Sequence, residues 1–253
     1  MDKLLGSLKY TQMQTLSHLI HLIDKDSDVL DIKEVIENDP PLCMNLLKVV
    51  NSAYFFPRKP IKDIQGAIVR LGYNYLLEFA MNQKLYQVFP PDNQFRKDLW
   101  KHSVATAITH KLMDENEYGT MGTQAYTLGL IHDIGLFAEE QFFPEFYEVL
   151  QDTNIISLEN KILGFNHCNI GSMMCHQWNM PEDMAYAILN HHEPYKNTLS
   201  VAETISQDLN FGFNEKTQQI KYENTGFSGY AIKNIQKETL EELKRLQNAG
   251  LIP

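Results

Sequence analysis

The dipeptide His132-Asp133 constrains the fold of this chain more than any other sequence feature, because four further histidines are in register with it. It follows an apolar run at residues 128–131 and precedes Gly135. Imidazole and carboxylate groups together suit divalent iron, zinc, manganese or nickel, and a carboxylate can bridge two such ions. Ligands so far apart in sequence can meet only if several helices present them inward. The full set spans four predicted helices and comprises His102, His132, Asp133, His167, His191 and His192.

Apolar residues recur at intervals of three and four positions along nearly the whole chain, as in amphipathic helices. Near the N-terminus, Asp31 is predicted to cap a short helix through Ile36, and Asp39 with the prolines after it to separate that helix from the next. Asp63 is predicted to cap a helix that ends at Gly72, where glycine suits a left-handed backbone. Because no segment reads convincingly as a strand, the sequence predicts an all-α fold.

The proline pair at 90–91 is the best candidate for an internal boundary. We expect a helical bundle of two lobes, residues 1–91 and residues 92–213, packed through apolar stripes on both sides of the boundary. A polar C-terminal extension, 214–253, is predicted to end in a short helix at 238–249. In the second lobe the predicted helices cover residues 94–113, 123–138, 157–167, 169–178, 181–192 and 199–209, with caps or first residues at Ser157, Asn169 and Pro181.

Charge and cysteine content restrict the partners and the compartment. The formal net charge is −10 and no block is rich in lysine or arginine, which argues against binding to DNA or RNA. No apolar stretch approaches the roughly 20 residues of a membrane span, and the N-terminus lacks a signal peptide's apolar region. The three cysteines, Cys43, Cys168 and Cys175, are odd in number and lack a repeated spacing, so we expect reduced thiols in the cytoplasm. Cys168 and Cys175 are interpreted as small buried apolar residues and not as soft-metal ligands.

The histidine register resembles that of the HD superfamily of metal-dependent phosphohydrolases. Three upstream segments, 38–42 (NDPPL), 46–54 (LLKVVNSAY) and 64–72 (IQGAIVRLG), resemble the HDOD family, the HD-related output domain of bacterial signalling. This resemblance covers about residue 8 to about residue 213. It implies an HD-like helical fold for the second lobe and a role in signalling.

The ligand register is also similar to that of the HD-GYP phosphodiesterases. Carried over residue by residue, their metal ligands correspond to all six residues named above. In that resemblance Asp133 bridges two ions or completes one. Asp98, one helical turn before His102, matches a position where some of these enzymes place a glutamate ligand. The resemblance therefore implies one or two divalent transition-metal ions.

Three departures from the phosphodiesterase pattern concern catalysis. Leu136 stands where the relatives place a lysine that contacts substrate phosphate. Ser206 stands, in our alignment, where they place a metal-binding aspartate, with Glu203 and Asp208 nearby. The loop after Glu193 is also shorter than the glycine-tyrosine-proline loop of those enzymes.

Two functions from different classes follow. The first is a non-catalytic signalling module that retains a metal site and binds a partner protein or a nucleotide. The second is a metal-dependent phosphohydrolase acting on a nucleotide or cyclic nucleotide, with Asp133 in its catalytic centre. Leu136 and Ser206 favour the signalling module.

Polar residues outside the register receive structural interpretations. His18 and His21 are expected to flank a surface stripe, and His110 to lie behind the ligands or in the core. Asn51 is expected to end a helix and satisfy backbone groups there. A groove for a partner or ligand at Asn51 and its neighbours is the alternative.

Overall fold

The computed structural model describes residues 14–25, 27–52, 54–55, 59–119, 122–144, 154–193, 198–211 and 220–248. Every regular element in these ranges is helical and none is a strand, which confirms the all-α prediction. None of these helices combines the length and the apolar composition that a membrane crossing requires. In chain order they are α1 Gln14–Asp24, α2 Val29–Glu37, α3 Pro40–Val50, α4 Ile64–Val88, α5 Gln94–Tyr118, α6 Thr123–Ile131, α7 Ile134–Phe142, α8 Ile155–Leu163, α9 His167–Gln177, α10 Glu182–Leu189, α11 Thr198–Ser206 and α12 Gly229–Asn248, with a π-helical turn at Gln207–Phe211 and a 3-10 turn at Tyr222–Asn224.

The described residues divide into two compact units. One comprises residues 14–90 together with 245–248, and the other comprises Pro91–Lys244. In the first unit α2 packs on α1, α3 and α4, and α3 packs on α4. Its core is the buried apolar faces of these helices, including Leu16, Ile32, Leu46 and Leu76.

Side-chain caps define the helix starts of the first unit. Asp39 caps α3 by accepting from the Leu42 amide at 3.2 Å, and Asp63 caps α4 by accepting from the Gly66 amide at 2.7 Å, as expected for both. The predicted cap at Asp31 is wrong: Asp28, one turn earlier, has extended backbone and accepts from the Leu30 amide. Both aspartates have the right chemistry, and only the backbone conformation distinguishes them.

Two predictions in this unit concern the residues at which helices end. Gly72 adopts a positive φ of 74° and interrupts α4, where the sequence predicted a helix end. Asn51 follows α3 and holds the next segment: its Nδ2 donates to the carbonyls of Leu47 and Ile61, and its Oδ1 accepts from the Ile61 amide, each at 2.8 Å. These bonds support the structural interpretation of Asn51.

In the second unit α5 is the central helix. It packs on α6 and α11, while α9 packs on α7 and α10. Trp100 of α5 meets Phe137 of α7 with ring centroids 5.3 Å apart. The two caps predicted for the later helices are displaced. Asn154, not Ser157, caps α8, and Asn166, not Asn169, caps α9, in a box in which Asn169 returns a bond to the Asn166 amide.

The C-terminal helix is longer than the sequence predicted. The expected short helix at 238–249 is instead α12, which begins at Gly229. Its residues Ile232 and Ile235 join a buried apolar cluster with Met113 of α5 and Val201 of α11. The part of this helix before residue 238 therefore contributes to the core of the second unit, because its apolar stripe supplies the packing face.

Candidate metal centre

Three dipeptides at helix ends each place two side chains in one buried region of the second unit. His132-Asp133 lie between α6 and α7, His167-Cys168 begin α9, and His191-His192 follow α10, while His102 comes from the interior of α5. The structure brings together all six residues of the predicted register. All but His192 are at most 1% exposed, and the His192 side chain is 11% exposed.

The Asp133 carboxylate lies at the middle of this cluster. Its Oδ2 is 3.1 Å from His132 Nε2 and 3.3 Å from His102 Nε2. Its Oδ1 is 3.1 Å from His191 Nε2 and 3.7 Å from His167 Nε2. Each carboxylate oxygen therefore faces two imidazoles, which is the arrangement of a carboxylate that bridges two ions.

The outward-facing nitrogen of each of these four imidazoles is bound to an acceptor. A carbonyl can only accept, so each Nδ1 that contacts one carries the hydrogen. In the neutral imidazole, which is the form that binds a metal, the Nε2 atoms that face Asp133 then carry the lone pairs. Such outer bonds fix the tautomer of metal-binding histidines. The pairs are His102 Nδ1 with Phe211 O at 2.8 Å, His132 Nδ1 with Gly129 O at 2.8 Å, His191 Nδ1 with Ile188 O at 2.6 Å and His167 Nδ1 with Glu159 Oε2 at 2.8 Å.

Lone pairs that converge on a carboxylate repel one another unless positive charge lies between them. Asp133 Oδ2 is buried, and among the described residues it has no hydrogen-bond partner of ordinary geometry. Two imidazole nitrogens, His132 Nε2 and His102 Nε2, nevertheless lie within 3.3 Å of it. His167 Nε2 and His192 Nε2 similarly face each other at 2.9 Å. These residues fit a divalent transition metal, which replaces missing hydrogens with coordination bonds.

The pKa values of Asp133 and His191 are shifted by the same close contacts between the carboxylate and the imidazoles. Burial raises the pKa of Asp133, but the attraction of His132 and the proximity of His102 and His191 outweigh it and hold that pKa well below its usual range. Burial lowers the pKa of His191, but contacts with Cys168 and Asp133 reverse this and raise it well above its usual value. The cluster thus attracts positive charge.

Glu203 of α11 is a further acidic member. It is 3% exposed, and one of its oxygens lies within 4.8 Å of ligand nitrogens of His132 and His191. Burial raises the pKa of Glu203, while the neighbouring His191 lowers it in part.

Burial and the proximity of His191 hold the pKa of His192 well below its usual value.

Three positions that the sequence analysis considered beside the ligands, Asp98, Ser206 and Asp208, do not belong to the cluster. Asp98 is not part of the cluster: its side chain is 48% exposed and pairs with Gln94 and Lys101 on the surface of α5. Ser206 donates to the Ala202 carbonyl of its own helix, so the carboxylate that α11 contributes is Glu203, one turn earlier. Asp208 is exposed and accepts from the Tyr222 hydroxyl.

Sequence reasoning assigned no ligand role to Glu159, Cys168 or Glu203. Glu159 lies eight residues before His167 and is fully buried, and burial of a carboxylate is the signal that only the fold provides. Cys168 directly follows a ligand-type histidine and lies within 4.8 Å of His167, His191 and His192 through their ligand atoms. Burial raises the pKa of Cys168, but His167 and His191 outweigh it and lower it to about 6.

Glycines let the helices that carry the cluster approach closely. A Cβ at Gly135 would lie 2.0 Å from the His167 carbonyl oxygen, and one at Gly129 would lie 2.7 Å from the Ala107 Cα. At Gly171 the nearest atom is Ile188 Cγ2 at 2.9 Å. Glycine is therefore required where α7 meets α9 and where α6 meets α5.

The other histidines have separate roles. His110 is a core residue, because its Nδ1 contacts the Ala125 carbonyl at 3.0 Å and its Nε2 contacts Thr198 Oγ1 at 2.8 Å. His176 pairs with Glu182 on the surface at 3.3 Å. His18 and His21 are exposed on α1, as the sequence predicted.

Comparisons with known proteins give one family and several similar folds. The HDOD domain family matches residues 10–194. An uncharacterized protein of Treponema pallidum (strain Nichols) is 27% identical over 199 residues, which are 74% of this chain and 39% of that protein. The chain thus spans well under half the length of that relative.

Solved structures with low identity share the fold. An HDOD domain protein with unknown function from Geobacter sulfurreducens has a TM-score of 0.65 and 20% identity, over 92% of this chain and 87% of that chain. A candidate phosphohydrolase from Shewanella amazonensis SB2B has a TM-score of 0.66 and 19% identity, over 94% and 90%. A candidate signal transduction protein from Marinobacter aquaeolei VT8 has a TM-score of 0.74 and 18% identity, over 94% of this chain and 58% of that chain.

Proposed function

Because the chain belongs to the HDOD domain family, we propose that it is a helical signalling module that holds one or two divalent transition-metal ions and has little or no phosphoester hydrolase activity. The main support is that four imidazole Nε2 atoms converge on the two oxygens of Asp133. The Nδ1 atom of each of these rings contacts an acceptor. A signalling role for the Marinobacter protein is in keeping with this proposal.

The two sides of Asp133 define two half-sites. His102 and His132 would hold an ion with Oδ2, and His167 and His191 would hold an ion with Oδ1. His192, whose Nε2 lies 2.9 Å from that of His167, would join the second half-site. Iron, manganese, zinc and nickel all suit these ligands.

Weak or absent hydrolysis follows from the surroundings of the ligands. Leu136, at the position of the relatives' phosphate-binding lysine, is fully buried and cannot bind an anion. Arg96 is the sole buried lysine or arginine in the described part of the second unit, and its guanidinium binds Glu140 at 2.6 Å. Among the described residues of this unit, no other buried lysine or arginine could bind a substrate phosphate.

A metal-dependent phosphohydrolase is the second candidate, and one observation favours it. Glu203 supplies α11 with a carboxylate beside His132 and His191, so the absence of an aspartate at residue 206 does not remove the acidic ligand. Bound metals would lower the pKa of a water molecule and stabilise charge on phosphoryl oxygens. Asp133 would be the shared catalytic ligand.

We propose a signalling protein or a nucleotide as the partner, and not DNA or RNA, since the net charge is −10. The proposed location is the cytoplasm, a reducing compartment in which the three free thiols persist.

Metal analysis tests the proposal. Protein purified without a nickel column from cells supplied with iron, manganese and zinc should contain one or two transition-metal ions per chain. Asp133→Asn and His191→Gln should lose metal while remaining folded, and His176→Gln, which changes an exposed histidine outside the cluster, should retain it. Metal-free wild-type protein under these conditions would refute the metal centre.

Hydrolysis assays separate the two candidate functions. With each metal supplied, wild-type protein should show little or no turnover of cyclic di-GMP and of a panel of phosphomonoesters and phosphodiesters. Robust turnover that Asp133→Asn abolishes and His176→Gln preserves would establish the phosphohydrolase instead.

A further inference from the structure

We propose that Cys168 supplies a thiolate ligand to the half-site of His167, His191 and His192, so that this half-site has a sulfur donor and the half-site of His102 and His132 has none. This inference rests on the proposed metal centre and names an additional ligand within it. It also replaces our sequence-based interpretation of Cys168 as a small buried apolar residue.

The geometry places four ligand atoms together. One ligand atom from each of Cys168, His167, His191 and His192 lies within 4.8 Å of all the others. In a tetrahedral zinc site with Zn–N near 2.0 Å and Zn–S near 2.3 Å, ligand atoms are separated by about 3.3 to 3.8 Å. The four atoms are therefore close to the spacing that one zinc ion requires.

The two sides of the centre differ in donor chemistry. The other side combines His102 and His132 with Asp133, so it offers nitrogen and oxygen. A thiolate is a softer donor, which favours zinc or ferrous iron over magnesium and manganese. The proposal therefore predicts different metal preferences for the two half-sites.

Cys175 provides an internal contrast. It lies seven residues further along α9 and is fully buried, but it belongs to none of the described groups that could hold a metal. Burial raises the pKa of its thiol to about 12, as expected for a thiol in apolar surroundings. The two cysteines share a helix and differ in their neighbours, so Cys175→Ser is a matched control.

X-ray absorption at the zinc edge tests the proposal on the 253-residue chain loaded with zinc alone. Wild type should show a sulfur shell at about 2.3 Å beside the nitrogen and oxygen shell. Cys168→Ala and Cys168→Ser should lose the sulfur shell, while Cys175→Ser should retain it. Cobalt-loaded protein should show a near-ultraviolet thiolate-to-cobalt absorption that depends on Cys168 in the same way.

The outcomes distinguish this inference from the metal centre itself. Zinc bound by wild type without a sulfur shell would overturn the thiolate ligand and leave the histidine–carboxylate centre standing. Absence of bound zinc in wild type would overturn both. If the Cys168 variants fail to fold, the wild-type spectrum with its Cys175→Ser control still decides the question.

Discussion

Substitution of Gly135 by alanine should disturb the metal centre from a position that holds no ligand. Gly135 lies in the first turn of α7, where a Cβ would be 2.0 Å from the His167 carbonyl oxygen and 2.7 Å from the carbonyl carbon. Both neighbouring atoms belong to the backbone of α9, so no side-chain rotation relieves the overlap. Cβ atoms in proteins essentially never approach closer than 3.0 Å, so α7 and α9 must separate by about 1 Å at this point.

The separation has two measurable consequences. Overpacking of a dense core lowers the free energy of unfolding by about 1 to 3 kcal/mol. It also moves His167 relative to Asp133, and functional sites tolerate displacements of only about 0.5 Å. We therefore expect metal affinity in Gly135→Ala to fall by about 10- to 100-fold, the range found when groups that position metal ligands are removed.

Urea unfolding and competitive zinc titration measure the two effects separately. Gly229→Ala is the matched control, because nothing lies within 4 Å of a Cβ at Gly229, and it should leave both stability and zinc affinity close to wild type. Unchanged zinc affinity and unfolding free energy in Gly135→Ala would refute the close approach of α7 and α9.

Three further predictions concern buried polar groups. Lys84→Met should lower the unfolding free energy by about 3 kcal/mol in urea unfolding, because it leaves the buried Asp39 carboxylate without its ammonium partner; a change below about 0.5 kcal/mol would contradict this. Burial lowers the pKa of His110 to about 4, so the unfolded chain binds a proton first as pH falls below 6.5, and stability should decline between pH 6.5 and pH 4. His110→Gln should remove this part of the pH dependence, about 3 kcal/mol across that window, and an identical pH profile for both proteins would count against the assignment. Glu159→Ala should weaken zinc binding by about 10- to 100-fold because it releases His167 Nδ1, while Glu159→Gln should retain more of the affinity; equal affinity in all three proteins would show that Glu159 does not orient His167.

The family and the all-α fold could be predicted from the sequence because their signals are local. The match to the HDOD domain over residues 10–194 confirms the resemblance seen in the upstream motifs and the histidine register. Asp63 was predicted as a cap and Asp39 as a helix boundary, and in the structure each side chain bonds to an amide only three residues away. The failures at Asp31, Ser157 and Asn169 were small, because neighbouring residues of equal capping chemistry compete and backbone conformation selects among them.

The sequence by itself determined which histidines and which aspartate could share a site, because their helix positions and flanking residues carry the register. Only the tertiary structure decided which carboxylates and thiols join them. Glu159, Cys168 and Glu203 enter the buried region through the packing of α8, α9 and α11, whereas Asp98 stays on the surface of α5. Local spacing specifies the face of one helix, but whether that face meets another ligand depends on how the helices cross and how closely glycine lets them approach.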